Sequence, residues 1–304
     1  MSVTASISNI SRCSVHDGPG VRTVVYFSGC SMHCAWCHNP EAIAFTDELL
    51  YAQTKCIHCG RCVQICPEHH VIVGNEMVVL RDGCKTCGQC IEECPSGALT
   101  LSQKQWSVAE LLKEVLKEKH YFLQNGGVTL SGGECLIQAD FCTEFLQECK
   151  NEGIHTAIET ALFVPWKNIE AVIPYCDFIF ADFKIPDALK HKTYTGQDNG
   201  LILANLRKLT TLRKHAVTLR IPLIPGVNDS EADILGFAHQ LKEIAENLRG
   251  IEVLRYNNLG KSKYLVAGKT FTDFGAPQSV EELTAFCSKL ENELESKTQV
   301  YCTF

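Results

Sequence analysis

Apolar positions along this chain follow two periods. Short runs rich in β-branched and aromatic residues read as strands at 21–28, 128–130, 155–160, 177–183, 217–224 and 251–256. Between them the spacing changes to three and four. Ser107 opens SVAELLKEVLKEK, where Ser107 with Glu110 forms a capping box and Val108, Leu111, Leu112, Val115 and Leu116 make one helical stripe. Further helices are predicted near 140–151, 166–173, 187–195, 201–213 and 230–247. Ser279 with Glu282 caps a last helix to about 296, and 299–303 reads as a closing strand. Alternating strands and helices imply parallel strands joined by right-handed crossovers. The six main strands are fewer than the eight of a closed (β/α)8 barrel, so a partial barrel and a doubly wound sheet both fit. In either, chemistry gathers at the C-terminal strand ends, where Cys30, Ser131, Thr160 and Asp182 fall.

The periodicity breaks at 56–97, where eight cysteines crowd among glycines and prolines. KCIHCGRCVQICP and GCKTCGQCIEECP align without a gap, 28 residues apart, as an internal duplication. It is inserted after the first strand. Elsewhere the composition is that of a globular protein, with 45% hydrophobic and 21% charged residues in 304. The net charge of -7 and the lack of a basic block argue against nucleic acid as a partner. The N-terminus lacks the basic and apolar regions of a signal peptide, and no run is apolar enough to span a membrane. A cytoplasmic protein is expected. Eighteen cysteines in such a chain then mean metal rather than disulfides. Seven lie outside the clusters (Cys13, Cys135, Cys142, Cys149, Cys176, Cys287 and Cys302) and read mostly as small buried hydrophobes.

The duplicated spacing C-x2-C-x2-C-x3-C-P is the bacterial ferredoxin run, in which each fourth cysteine ligates the other cluster. That assigns Cys56, Cys59, Cys62 and Cys94 to one [4Fe–4S] cluster and Cys84, Cys87, Cys90 and Cys66 to another. Zinc fingers instead set two close pairs far apart. A third group, Cys30, Cys34 and Cys37, has the spacing C-x3-C-x2-C with no fourth cysteine nearby. Three thiolates can hold three corners of a [4Fe–4S] cube and leave one iron open to a ligand, the logic of an open catalytic metal site. Zinc would need His33 or His38 as a fourth ligand.

The C-x3-C-x2-C loop, with Trp36 before its last cysteine, resembles the radical S-adenosylmethionine (radical SAM) superfamily. The longer run SVHDGPGVRTVVYFSGCSMHCAWCHNPE resembles the glycyl-radical-enzyme activating enzymes, with their DGPG-x-RT signature, and the similarity covers nearly the whole chain. The resemblance implies an α/β fold: a partial (β/α)6 radical SAM barrel from 1–47 and 101–304, with an inserted α+β ferredoxin-like module at 48–100. It also implies the reaction. The Cys30–Cys37 cluster reductively cleaves S-adenosylmethionine, and the 5′-deoxyadenosyl radical takes a hydrogen from a glycine Cα of a partner, a glycyl radical enzyme. Three [4Fe–4S] clusters, S-adenosylmethionine, a monovalent cation and an electron donor of the flavodoxin or ferredoxin type are the implied cofactors and partners.

The same resemblance assigns further residues. Gly132, Gly133 and Glu134 match the GGE motif, the glycines giving the ligand backbone access and Glu134 accepting from the methionine ammonium. Cys135 stands where many relatives have proline. Glu159, Thr160, Asp182 and Lys184 match strand ends that line a cation and cofactor site in the pyruvate formate-lyase activator. Arg220 faces the same pocket, Trp36 packs on the adenine, and His38 is a further cofactor contact. Asn257 replaces a histidine usual in the family, keeping hydrogen bonding but not titration. Asp17 meets the partner's glycine loop. The inserted clusters either relay electrons or serve docking. Two other functions fit parts of the sequence: a radical SAM enzyme for a small molecule or another peptide, and a polyferredoxin carrier, which would have no use for the strand-end motifs.

Overall fold

The computed structural model describes residues 3–303. Seven strands run parallel: β2 (Arg22–Phe27), β8 (Gly127–Gly132), β9 (His155–Thr160), β10 (Phe178–Asp182), β11 (Val217–Leu223), β12 (Gly250–Arg255) and β13 (Val300–Thr303). They stand side by side in chain order. That order never reverses, so the sheet has no topological switch point, and the doubly wound alternative drops out. Two antiparallel strands, β1 (Thr4–Ser14) and β7 (Lys104–Ser107), extend the β2 edge. The sequence pattern did not predict either. Only Ala5 and Ile7 of β1 are fully buried, so the apolar alternation that marks a strand is faint there.

The parity of each parallel strand separates two faces. Val25, Phe27, Val128, Leu130, Ile158, Ile179, Leu219, Ile221, Ile251 and Val253 share one core with the helices. These helices are α3 (Val108–Leu116), α4 (Ala139–Asn151), α5 (Trp166–Val172), α7 (Gly200–Leu212), α8 (Glu231–Leu241) and α10 (Val280–Glu293). The predicted capping boxes at Ser107 and Ser279 are formed, and Ser230 with Asp233 makes a third. The helix predicted over 230–247 ends at Leu241, with a separate 3-10 turn at Ala245–Asn247. The opposite parity carries Arg22, Thr129, Ser131, Glu159, Asp182, Arg220, Glu252 and Thr303. One face of the sheet is therefore apolar and helix-covered, while the other carries these polar side chains beside a small apolar cluster of Ala157, Phe178 and Phe180 and lines the site. Two shorter helices, α6 (Ala188–Thr195) and α9 (Lys261–Ala267), follow β10 and β12 on the way out of the strand ends.

The cysteine-rich segment leaves the main sheet between β2 and β7. Its neck is an antiparallel pair, β3 (Leu49–Tyr51) with β6 (Leu99–Leu101). Beyond it lie α1 (Arg61–Ile65), the hairpin β4 (His70–Val73) and β5 (Glu76–Val79), and α2 (Gln89–Glu92). The duplication is visible in the backbone. His58 and Thr86, and likewise Gly60 and Gly88, adopt left-handed φ at equivalent places in the two copies. No helix among the described residues is long and apolar enough to cross a membrane.

Candidate functional site

A cavity of about 680 Å³ opens at the C-terminal ends of the parallel strands. That volume suits a cofactor-sized ligand. Its lining includes the thiols of Cys30, Cys34 and Cys37, with Trp36 and His38 from the same loop. Gly132, Gly133, Glu159, Thr160, Asp182, Lys184, Arg220 and Asn257 come from successive strand ends, and His16 and Asp17 from the loop before β2. All of the sequence-assigned cofactor residues except Glu134 meet here.

The cysteine loop is held by backbone. Gly29 N donates to Ala42 O at 2.9 Å, Cys30 N to Ile43 O at 3.0 Å and His33 N to Thr195 O at 2.8 Å. Two further amides point at sulfur: Met32 N to Cys30 Sγ and Asn39 N to Cys37 Sγ, each at 3.4 Å. Amide donors aimed at thiols are what a metal-bound thiolate requires. Burial pushes the Cys30 and Cys34 thiols up to about 12, and Lys184 opposes the rise at both. Left without a cation these sulfurs stay protonated at neutral pH, so iron must displace protons to bind. Among the described residues no three His, Cys, Asp or Glu side chains converge as a single-ion site. Three thiols on one loop fit three corners of a [4Fe–4S] cluster.

The GGE segment fastens this loop to the sheet. Gly133 N donates to Phe27 O at 2.8 Å, and Glu134 N to Gly29 O at 2.9 Å. A Cβ on Gly132 would lie 2.3 Å from Phe27 N, and one on Gly133 2.3 Å from Gly29 O. Both glycines are thus required by close backbone packing against β2 and the residue before Cys30, besides bordering the cavity. Glu134 turns away from it. Its carboxylate is 1% exposed and accepts from Thr160 Oγ1 at 2.8 and 3.0 Å, Ala161 N at 2.9 Å and Leu136 N at 3.2 Å.

A charged network crosses the floor. Arg220 Nε donates to Glu252 at 2.6 Å, Nη1 to Glu159 at 2.6 Å and Nη2 to the His16 carbonyl at 2.7 Å. Its guanidinium also lies 3.3 Å from the Phe180 ring centre. Ser131 Oγ donates to the second oxygen of Glu159 at 2.6 Å. Lys184 pairs with Asp182, and the neighbouring carboxylate raises the pKa of this buried ammonium although burial alone would lower it. Trp36 belongs to an apolar cluster with Ile185, Ile224, Val227 and Tyr256 and presents the remainder of its ring to the cavity. His38 Nε2 lies 3.2 Å from the Asn257 carbonyl oxygen, while Asn257 Oδ1 accepts from Leu259 N. Sequence reasoning missed His16, Glu252 and Thr303. Glu252 did carry a signal, as a lone charge inside the apolar run Ile251–Leu254.

In the cysteine-rich segment, Cys56, Cys59, Cys62 and Cys94 line a second cavity, of about 500 Å³. Burial and the neighbouring thiols Cys66, Cys84 and Cys87 push Cys90 up to about 11, so these four sulfurs lie together as well. His58 N donates to Cys56 Sγ at 3.4 Å, repeating the amide–sulfur pattern of the first loop. Left-handed residues stand between the cysteines of both copies, a backbone conformation that occurs in the anion-binding nests of iron–sulfur sites. Of the seven remaining cysteines, Cys135, Cys142, Cys149, Cys176 and Cys287 are buried, Cys302 is half-buried and Cys13 is exposed.

Residues 24–238 match the radical SAM superfamily. The chain is 40% identical over 270 residues to the (2S)-3-sulfopropanediol dehydratase activating enzyme of Klebsiella oxytoca, covering 86% of this chain and 85% of that one. It is 41% identical over 263 residues to the trans-4-hydroxy-L-proline dehydratase activating enzyme of Clostridioides difficile (85% and 86%), and 40% identical over 281 residues to the choline trimethylamine-lyase activating enzyme of Oleidesulfovibrio alaskensis (90% and 90%). Among solved structures, Streptococcus suis SuiB bound to its precursor peptide shares the fold, with a TM-score of 0.55 at 11% identity, over 92% of this chain and 48% of that one. Taken with a three-cysteine loop at the strand ends of an open parallel barrel, these matches place the chain in the radical SAM superfamily, among its glycyl-radical-enzyme activating enzymes.

Proposed function

We propose that the cavity at Cys30, Cys34 and Cys37 binds S-adenosylmethionine on a three-thiolate [4Fe–4S] cluster, and that the chain uses it to install a glycyl radical on a partner enzyme. The observation that carries this reading is the meeting of the three thiols with six strand ends in one cavity. A cluster held by Cys30, Cys34 and Cys37 would supply the single electron that reductive cleavage of the cofactor's sulfonium needs. The protein binds, orients and excludes water. The Lys184 ammonium, close to Cys30 and Cys34, favours their thiolate forms and is placed to meet the cofactor carboxylate. Glu159, Thr160 and Asp182 offer oxygens to the cofactor ammonium or to a monovalent cation. Trp36, His38 and Asn257 border the same space and suit the adenosine. Glu134 acts behind them, through Thr160.

The loop bearing Asp17 lines the cavity and is the proposed meeting point with the partner's glycine loop. In the duplicated segment, Cys56, Cys59, Cys62 and Cys94 would hold one further cluster and Cys84, Cys87, Cys90 and Cys66 another. These suit a one-electron donor of the flavodoxin or ferredoxin type. Relatives at 40–41% identity serve enzymes of differing substrates, so the reading extends to the partner's class and not to its substrate.

The test is an anaerobic assay of the reconstituted, reduced chain with S-adenosylmethionine. Formation of 5′-deoxyadenosine, abolished by Cys34→Ala, is expected. A fully loaded, reduced chain that releases none would overturn the proposal.

A further inference from the structure

We propose that Arg81, with helix α9, is the latch that fixes the duplicated cysteine segment against the Cys30–Cys37 loop, and that it thereby sets which of the two segment sites faces that loop. The inference rests on reading the cysteine runs as cluster ligands. It concerns how this chain's residues hold them apart.

Helix α9 touches the catalytic loop on one side. Tyr264 Oη donates to the Cys37 carbonyl at 2.9 Å, and Lys263 Nζ to Asn39 Oδ1 at 2.6 Å, with Glu41 at 3.0 Å. A Cβ on Gly260, just before the helix, would lie 3.2 Å from His38 Cα. The far end of α9 touches the inserted segment. Lys269 N and Gly268 N close the helix on the Tyr264 and Leu265 carbonyls. That closure leaves the Val266 carbonyl without an intrahelical partner. Arg81 Nη2 takes it at 3.0 Å, while Nε donates to Leu49 O at 3.2 Å. A cation at a helix C-terminus also suits the dipole. Arg81 lies so close to Gly268 that a Cβ there would come within 2.2 Å of its Nη1.

The backbone connects this arginine to the second cysteine run, since Cys84 N donates to Arg81 O at 3.1 Å. A continuous bonded path therefore leads from Cys84 through Arg81, Val266 and Tyr264 to Cys37. The duplication makes this asymmetry informative. The residue equivalent to Arg81 in the first copy is Gln53, 28 positions earlier, which is exposed. The second copy thus carries a contact to α9 that the first copy lacks. The site built on Cys84, Cys87, Cys90 and Cys66 then faces the barrel, and the site on Cys56, Cys59, Cys62 and Cys94 is left as the entry for an external donor's electron.

Arg81→Met and the milder Tyr264→Phe test this in the full chain, reconstituted anaerobically and assayed for iron and sulfide. With iron content unchanged, amide exchange at 265–269 should rise severalfold in Arg81→Met, as expected for loss of the hydrogen bond to the Val266 carbonyl, at about 1 kcal/mol. Reduction of the Cys30–Cys37 cluster by reduced flavodoxin, followed by EPR, should slow severalfold in Arg81→Met and less in Tyr264→Phe. Unchanged exchange, or an unchanged reduction rate, in a fully loaded Arg81→Met chain overturns the latch. A wild-type chain that takes up iron only at Cys30, Cys34 and Cys37 overturns the reading beneath it, and the latch with it.

Discussion

The Glu134 carboxylate is buried, and burial lifts its pKa to about 7 against three hydrogen-bond donors that pull it down. The folded chain thus keeps a proton that the unfolded chain gives up near 4.5. Protonation at this site favours the fold fully below that value, and the benefit fades as pH rises to about 7. Glu134→Gln has no such dependence. Relative to wild type, it should gain stability as pH climbs through that window and hold a constant difference above it. Urea unfolding of the two chains at pH 5 and pH 8 measures the change. Gly133 makes a separate prediction. Alanine there would press on Gly29 O, one residue before Cys30. Gly133→Ala should lose iron from the Cys30–Cys37 site while retaining it in the duplicated segment, as counted by iron analysis and EPR.

The loop before β2 shows how one element is fixed by another. Arg22 is fully buried and donates to Thr129 Oγ1 at 2.5 Å, Val128 O at 2.5 Å, Pro19 O at 3.0 Å and His155 O at 3.2 Å. Thr129 Oγ1 in turn donates to Asp17 O at 2.6 Å. Thr129→Val removes this bridge and leaves a buried guanidinium donor unpaired, which should cost about 1–3 kcal/mol in denaturant unfolding. The parallel strands and main helices were legible in the sequence because burial on the helix-covered face writes a clear period. β1 and β7 were not, since β1, though paired on both sides, buries only Ala5 and Ile7, and β7, at the sheet edge, buries no residue fully. α9 was hidden for a different reason. KSKYLVA is only two turns long, and its partners are Cys37 and Arg81, far away in sequence. At the site, the cysteine spacings and strand-end motifs were readable as residue types. What stayed hidden were contacts between strands, such as Glu252 on Arg220, and the turn of Glu134 away from the cavity.

At the scale of the whole molecule, the strand-end cavity and the Cys30–Cys37 loop lie together, and helix α9 joins that loop to the duplicated cysteine segment. The loop's buried thiols are protonated without metal, so loading should release protons and strengthen as pH rises, which calorimetry in buffers of different ionisation enthalpy would register. In the proposed function this end of the sheet transfers radical character to another protein. The direct measurement is EPR of the reduced, loaded chain mixed anaerobically with S-adenosylmethionine and its glycyl radical enzyme. A glycyl doublet on the partner, absent with Cys30→Ala, Cys34→Ala or Cys37→Ala, is predicted. Release of 5′-deoxyadenosine with no radical on any such partner would contradict it.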